Sequence, residues 1–599
     1  MAKKIPSRSE LRTEDTWAIE DIFASQELWE AAYDRAKTFP ETVASYRGKL
    51  GTSATTLYEF LTFGDQMSIA FDSLYGYAQR KSDEDTTVSL YQGMASKVIS
   101  LMVACDSASA FETPEILAIP DETLEEFYRQ LPELRLYERY LDKIRRKREH
   151  ILSDAEEKLL AAAGELAQSP DSIYSMFGDA DLKFDDAEDS AGEKHPVTHG
   201  SYIPLMHSAD RTLRKNAFCS LYRSYGNFRN TAAAILTAQV KQLKFFADAR
   251  RYESALHASL DGTEVPVEVY QNLIDAVHQN MQPMYRYVAL RKQLMGLDEM
   301  HMYDLYTPIV SDVDMNIPFE EAKRIVYDAL EPMGEEYRAI LKKGFDERWI
   351  DVYENTGKCS GAYSAGIRVH PYVLLNYSGT LDSVFTLAHE MGHAIHSYLS
   401  NQNQPTVYSD YVIFVAEVAS TCNEALLMQH LLKTTTDKRR RAYLINYFLE
   451  QFRTTLYRQT MFAEFEVEIG RMNDRGEPLT ADSLCALYRK LNEQYFGDGI
   501  VIDREIDLEW ARIPHFYYNY YVYQYATGYS AAIALSQRIL NEGAPAVKDY
   551  LGFLSGGCSA DPITLLRGAG VDMADTKPIT EALSLFDSLI DELAELMRD

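Results

Sequence analysis

Two histidines four residues apart, His389 and His393, sit in a stretch from Ser383 to Ser397 where Val384, Leu387, Ala388, Met391 and Ile395 recur at helical spacing. That pattern predicts a helix with one face sunk in a core and both imidazoles side by side, about one turn apart. Imidazoles so placed can share one tetrahedral zinc ion. Glu390 follows the first histidine, so its carboxylate can reach water at the metal without being a ligand, the general-base position of an H-E-x-x-H motif. Gly392 leaves space beside the pair. A site of this kind needs a third ligand from elsewhere in the chain.

Glu417 supplies the candidate. It lies 24 residues beyond His393 in Phe414-Val415-Ala416-Glu417-Val418-Ala419-Ser420, an apolar helical context. A carboxylate buried there unpaired would be costly, and metal coordination would explain it. Glu424 follows two helical turns later on nearly the same face, and His396 one turn after His393. Metal-bound imidazoles usually donate their second N–H to a carboxylate or carbonyl, so Glu424 is expected to orient a ligand and His396 to support the carboxylates. A place on the surface is the alternative for both.

The rest of the chain reads as packed helices with one strand-like interval. Helical pattern runs from Thr123 to Lys147, follows a capping-box signature at Ser153 and Glu156, and returns over Ala209–Arg250 and from Pro266 towards Met295. Between about Phe177 and Tyr202 it dissolves into Gly, Asp, Ser and Pro, which suits an exposed linker or hairpin. The expected division is therefore an N-terminal helical region, 1–195, and a catalytic region, 196–599. From Ala362 to Tyr377, β-favouring residues interrupted by Gly366 and Pro371 predict a strand directly before the metal helix.

Composition removes several function classes. Ninety acidic residues against sixty basic ones leave a formal charge of -30, which repels polyphosphate and anionic lipid surfaces. Neither nucleic acid nor membrane is an expected partner. No run approaches the roughly 20 uninterrupted apolar residues of a membrane span, and the beginning of the chain lacks an apolar signal core. The six cysteines are scattered singly, as reduced, mostly buried thiols would be. These features predict a cytoplasmic protein.

Near the end of the chain, Arg512 to Gly528 concentrates six tyrosines and His515. Aromatic packing accounts for most of such rings. Peptide hydrolysis would in addition require hydrogen-bond donors.

The octapeptide from His389 to His396, the segment Phe414 to Thr421, the aromatic run from His515 to Gly528, and Thr16–Phe23 and Ala249–Leu256 together resemble the oligoendopeptidase F group of thimet oligopeptidase-like zinc peptidases. The resemblance spans nearly the whole chain. It implies a mainly α, two-lobed zincin-type fold with a deep substrate channel and a small β-sheet beside the H-E-x-x-H helix. It also implies one zinc per chain and cleavage of internal bonds in short oligopeptides through a zinc-activated water. By the same resemblance Gly361, Ala362, Tyr363 and Ser364 pair with the substrate backbone, as an exposed sheet edge can. His515, Tyr518 and Tyr525 map onto the family's transition-state donors, with Tyr517 and Tyr523 as the nearest alternatives. The rival readings are a dipeptidyl carboxypeptidase on the same scaffold and a helical interaction scaffold whose H-E-x-x-H is accidental.

Overall fold

The structure is a computed structural model that describes residues 5–310 and 316–598, and most of it is helical. Two compact units are each assembled from three chain segments. One comprises Met1–Glu149, Asp314–Gln429 and Leu535–Gly570, the other His150–Val313, His430–Ala534 and Val571–Asp599. Compactness thus joins segments distant in sequence, whereas a division at 195/196 follows composition alone.

The first unit carries the H-E-x-x-H motif. Helix α1 (Ala54–Glu84) begins where the Ser53 hydroxyl accepts the Thr56 N–H at 3.1 Å, and packs on α2 (Ser89–Ser109) through Leu74, Tyr77 and Ala78 against Met94, Ala95 and Val98. By length and composition Ser89–Ala118 could cross a membrane, at a mean hydropathy of 1.2. Here it is not one helix: α2 ends at Ser109 and a short helix resumes at Glu112, with Met94, Ala95 and Val98 buried against α1 while Leu90, Ile99 and Val103 stay exposed.

Of five short strands among the described residues, β1 (Ala187–Glu188) and β2 (Lys194–His195) form an antiparallel hairpin in the second unit, within the interval predicted as linker or hairpin. The other three, β3 (Ile350–Asp351), β4 (Tyr363–Ala365) and β5 (Tyr372–Leu374), make a sheet of order β3-β5-β4. β5 runs parallel to β3 and antiparallel to β4, with Ser364 opposite Val373. The single strand expected over Ala362–Tyr377 is therefore two, because Gly366 and Pro371 break it. Behind the sheet, Lys358 places its buried ammonium 2.7 Å from Asp351 and donates to the carbonyls of Tyr353 and Leu375. Every proton of that charge is satisfied, which is what its burial demands.

Helix α3 (Leu381–Asn403) starts at Thr380, whose hydroxyl accepts the Ser383 N–H at 3.2 Å. Val384, Leu387, Ala388, Met391 and Ile395 are wholly buried, as the spacing predicts. It crosses α4 (Ile413–Thr434) at Gly392. A Cβ there would lie 2.6 Å from Ser420 Cα and 2.8 Å from the Ala419 carbonyl oxygen, contacts with backbone that cannot swing aside. Gly392→Ala should therefore cost about 1–3 kcal/mol as overpacking and lower zinc affinity with it, read by thermal unfolding and metal titration.

α5 (Arg458–Asp474), in the second unit, and α6 (Tyr523–Glu542), which begins there, flank the aromatic segment. All three long helical patterns are subdivided; the one from Pro266 towards Met295 breaks at Asn280, into Val267–Gln279 and Met281–Leu294. Thr123–Lys147 breaks at Pro132, which forces Leu131 out of helical geometry and separates Asp121–Gln130 from Glu138–Arg146. Ala209–Arg250 breaks at Phe228, after Gly226 and Asn227, into Arg211–Asn227 and Arg229–Ala249.

Candidate active site

Each half of the ligand set is presented by its own helix. α3 carries His389 and His393 with ring centroids 4.8 Å apart, and α4 carries Glu417. One carboxylate oxygen, Glu417 Oε2, lies 3.3 Å from His389 Nε2 and 3.5 Å from His393 Nε2. The ligand atoms of all three residues fall within 4.8 Å of one another. Zinc–ligand bonds of about 2.1 Å in a tetrahedron separate the ligands by about 3.4 Å, so this donor set fits zinc in spacing as well as in kind.

Partners hold the ligands in place. His389 Nδ1 lies 2.6 Å from Glu424 Oε1, which leaves Nε2 to face Glu417. The Ser420 hydroxyl donates to Glu417 Oε2 at 3.0 Å, and Asn423 on α4 donates to the Ala388 carbonyl on α3 at 3.0 Å, tying the two helices at the level of the ligands. Burial opposes a charge on His389, but the carboxylates of Glu417 and Glu424 outweigh it and push its pKa up to about 10. Glu417 is likewise resisted by burial, yet the two imidazoles hold it far below the usual carboxylate range. Glu417→Ala should lose zinc outright, whereas Glu424→Ala should keep some and weaken affinity by ~10–100-fold, read by metal analysis of the purified variants.

Glu390 is buried at 7% exposure, on the ligand helix but outside the ligand cluster. Burial raises its pKa, against the pull of His389 and His393. His396 does not take the supporting part expected of it. Its ring is buried, stacks on Tyr411 at 3.7 Å and makes no hydrogen bond to Glu417 or Glu424; burial, aided by His393, pushes its pKa down to about 3. It packs as a neutral aromatic ring.

Among the described residues β4 lies at the edge of its sheet, paired with β5 on one side only. The Tyr363 side chain is already committed: its hydroxyl donates to Asp83 at 2.5 Å and its ring lies under Arg80. Ser364 instead lines a cavity of about 460 Å³, together with Asp72, Arg368, Ser409, Tyr411 and Ala416. Gly361 and Ala362 precede the strand, and Gly361 has a left-handed φ of 81°. Sequence reasoning found this strand but not its anchors, because Asp83 and Arg80 are some 280 residues away.

In the second unit the aromatic run sorts by burial. Tyr517 is 8% exposed and stacks on Tyr174 at 4.4 Å, and Tyr523 is 1% exposed against Tyr270. Tyr518 is half exposed, and the Tyr525 hydroxyl lies 3.3 Å from His515 Nε2. His515, Tyr518 and Tyr525 are thus brought together, with ring centroids 5.4 and 5.8 Å from the histidine. Burial lowers the pKa of His515. Tyr521, which sequence reasoning passed over, joins them at 5.3 Å from Tyr525; their i, i+4 spacing was its signal. A second carboxylate and histidine group, at Asp189, Glu193 and His195, has its Asp189 carboxylate occupied by the N–H groups of Ala191 and Glu193 and by His195.

Comparison with known proteins places the chain in a family. A sequence profile described as peptidase family M3 matches residues 204–585, and one described as oligopeptidase F matches residues 115–184. The chain belongs to peptidase family M3. This is a metallopeptidase family. The M3 peptidase is 47% identical to oligopeptidase PepF of Bacillus subtilis over all of this chain and 89% of that one. It is 40% identical to an oligoendopeptidase F homolog of Lactococcus lactis subsp. lactis, over 99% of this chain and 98% of that one. The crystal structure of oligoendopeptidase-F from Enterococcus faecium aligns over 95% of this chain and 98% of that chain, with 37% identity and a TM-score of 0.74. A solved chain from Chlamydophila abortus aligns over 99% and 100%, with 35% identity and a TM-score of 0.94.

Proposed function

We propose that this M3 peptidase is a zinc oligoendopeptidase that hydrolyses internal bonds of short peptides, with one zinc per chain held by His389, His393 and Glu417. The observation that carries the reading is the 3.3 and 3.5 Å spacing of two imidazole nitrogens about one carboxylate oxygen, with Glu424 behind the first imidazole. When bound, zinc supplies Lewis acidity, which makes water nucleophilic near neutral pH and draws charge from a carbonyl oxygen. Glu390 takes the proton of the attacking water on its carboxylate and delivers it to the leaving amine. Its burial favours the protonated form that the second transfer needs. His515, Tyr518 and Tyr525 donate hydrogen bonds to the oxyanion as the carbonyl becomes tetrahedral.

The free edge of β4, with Gly361 and Ala362 leading into it, binds the substrate backbone as an added strand, which favours extended peptides without regard to most side chains. The hydroxyl of Ser364 and the neighbouring cavity then face substrate side chains, while Tyr363 acts only through its backbone. The partners are oligopeptides, handled in the cytoplasm, and residues 196–599 carry the catalytic groups. A substrate channel of the depth that family resemblance implies would admit extended chains only. An unstructured peptide of about a dozen residues should be cut and a stable folded protein should resist, followed by mass spectrometry of the products. The same peptide blocked at both ends decides the mode of cleavage. Internal products support an endopeptidase, and loss of cleavage on blocking the C-terminus would instead indicate a dipeptidyl carboxypeptidase.

A further inference from the structure

The segment that joins His515 to α6 turns sharply at Asn519 and Tyr520, which have φ of 57° and 58°. Two successive non-glycine residues in left-handed geometry persist only where their surroundings over-determine them. Three side chains do so. Gln239 donates to the Tyr517 carbonyl at 3.2 Å and to Asn519 Oδ1 at 3.0 Å. The Ser259 hydroxyl donates to the Asn519 carbonyl at 2.6 Å. Glu466 on α5, 4% exposed, accepts the Tyr520 N–H on Oε1 at 2.6 Å, and its Oε2 has no hydrogen-bond partner among the described residues.

One turn further along α5, Gly470 accommodates the same residue: a Cβ there would lie 2.6 Å from the Tyr520 hydroxyl oxygen. Tyr520 is therefore held by its backbone at Glu466 and by its ring across Gly470. A buried carboxyl with a single bond is a costly way to fill space, and an apolar side chain would fill it at less cost. Its use here points to the turn that it holds.

Resting on the proposed role of His515 and Tyr525 as donors, we propose that Glu466 is a positioning residue for peptide hydrolysis: by fixing the Asn519–Tyr520 reversal it sets those two donors in register. Burial pushes its carboxyl up to about 8, so at neutral pH it meets the Tyr520 N–H as an uncharged acceptor. A glutamine side chain reproduces that acceptor, whereas alanine deletes it.

The test measures kcat, KM, zinc content and thermal stability of the full-length zinc enzyme on an end-blocked peptide, for Glu466→Ala, Glu466→Gln, Gly470→Ala and Tyr525→Phe. Donors displaced by about 1 Å lose ~10²-fold in rate, so Glu466→Ala should fall by about that factor in kcat, with KM within about 3-fold and zinc retained. Glu466→Gln should stay within about 3-fold of the parent enzyme. Gly470→Ala, whose methyl presses only on the tip of the Tyr520 ring, should fold normally and lose about 10-fold in kcat. Parental kcat in Glu466→Ala overturns the proposal, as does parental kcat in Gly470→Ala if the first variant does not fold. Equal damage in the alanine and glutamine variants also overturns it, since the acceptor would then not matter. If Tyr525→Phe is impaired while Glu466→Ala and Gly470→Ala are not, the positioning role fails and the donor role stands. Full activity in Tyr525→Phe removes the donor role, and the positioning role with it.

Discussion

Glu390→Gln is expected to abolish measurable turnover while leaving about one zinc per chain. The substitution keeps the shape of the side chain and removes only its capacity to take and return a proton, a step worth ~10²–10⁴-fold when done by a positioned acid–base group. In the proposed mechanism Glu390 serves in both proton transfers, so the loss should lie at or beyond the upper end of that range. Zinc should remain because the converging ligand atoms belong to His389, His393 and Glu417 and not to Glu390. The buried position, 7% exposed, accepts a neutral amide at least as readily as a carboxylate. The assay is peptide cleavage beside metal analysis on the same preparation. Retained peptidase activity in the zinc-loaded variant would remove Glu390 from the mechanism, and loss of zinc would make it a structural residue.

The grouping of His389, His393 and Glu417 was legible in the sequence because helical periodicity is a local code. The spacing His389 to His393 fixes both imidazoles on one face, and the apolar residues around them fix which way that face points. Glu417 and Glu424 could be read for a related reason, since a carboxylate in an apolar helix demands a partner. His396 shows where the argument stops. Its position one turn beyond His393 is right for the helix face, but its partner, Tyr411, comes from the segment before α4, which no periodicity predicts. The anchoring of Tyr363 by Asp83, the approach of α3 to α4 at Gly392 and the hold of Glu466 on Tyr520 are all tertiary contacts between residues distant in sequence. In the aromatic run the ambiguity had a specific cause. A helical or strand period assigns faces only while the backbone is regular, and the left-handed pair Asn519 and Tyr520 resets the phase between Tyr518 and Tyr525. Burial then distinguishes what spacing could not.

That distinction sets the second large effect, expected for the tyrosine hydroxyls. Tyr525→Phe should lower kcat by ~10²–10³-fold, about 3–4 kcal/mol, with a smaller change in KM and with zinc retained, because an oxyanion donor acts mainly after the carbonyl has become tetrahedral. Tyr518→Phe should act in the same direction. Tyr517→Phe and Tyr523→Phe should leave kcat nearly unchanged and register in thermal stability, since both rings are packed away from solvent against Tyr174 and Tyr270. His515 connects the outcomes. Its Nε2 lies 3.3 Å from the Tyr525 hydroxyl, and burial lowers the pKa of the imidazole, so the pair can present a donor without bringing in a charge. Groups in such contact act as a unit, and the double variant His515→Phe with Tyr525→Phe should lose less than the product of the single losses. If Tyr517→Phe or Tyr523→Phe loses kcat while Tyr525→Phe does not, the donors belong to the buried face of the run. If all four variants keep their activity, the hydroxyls serve packing alone and stabilisation of the oxyanion falls to zinc, His515 or backbone N–H groups.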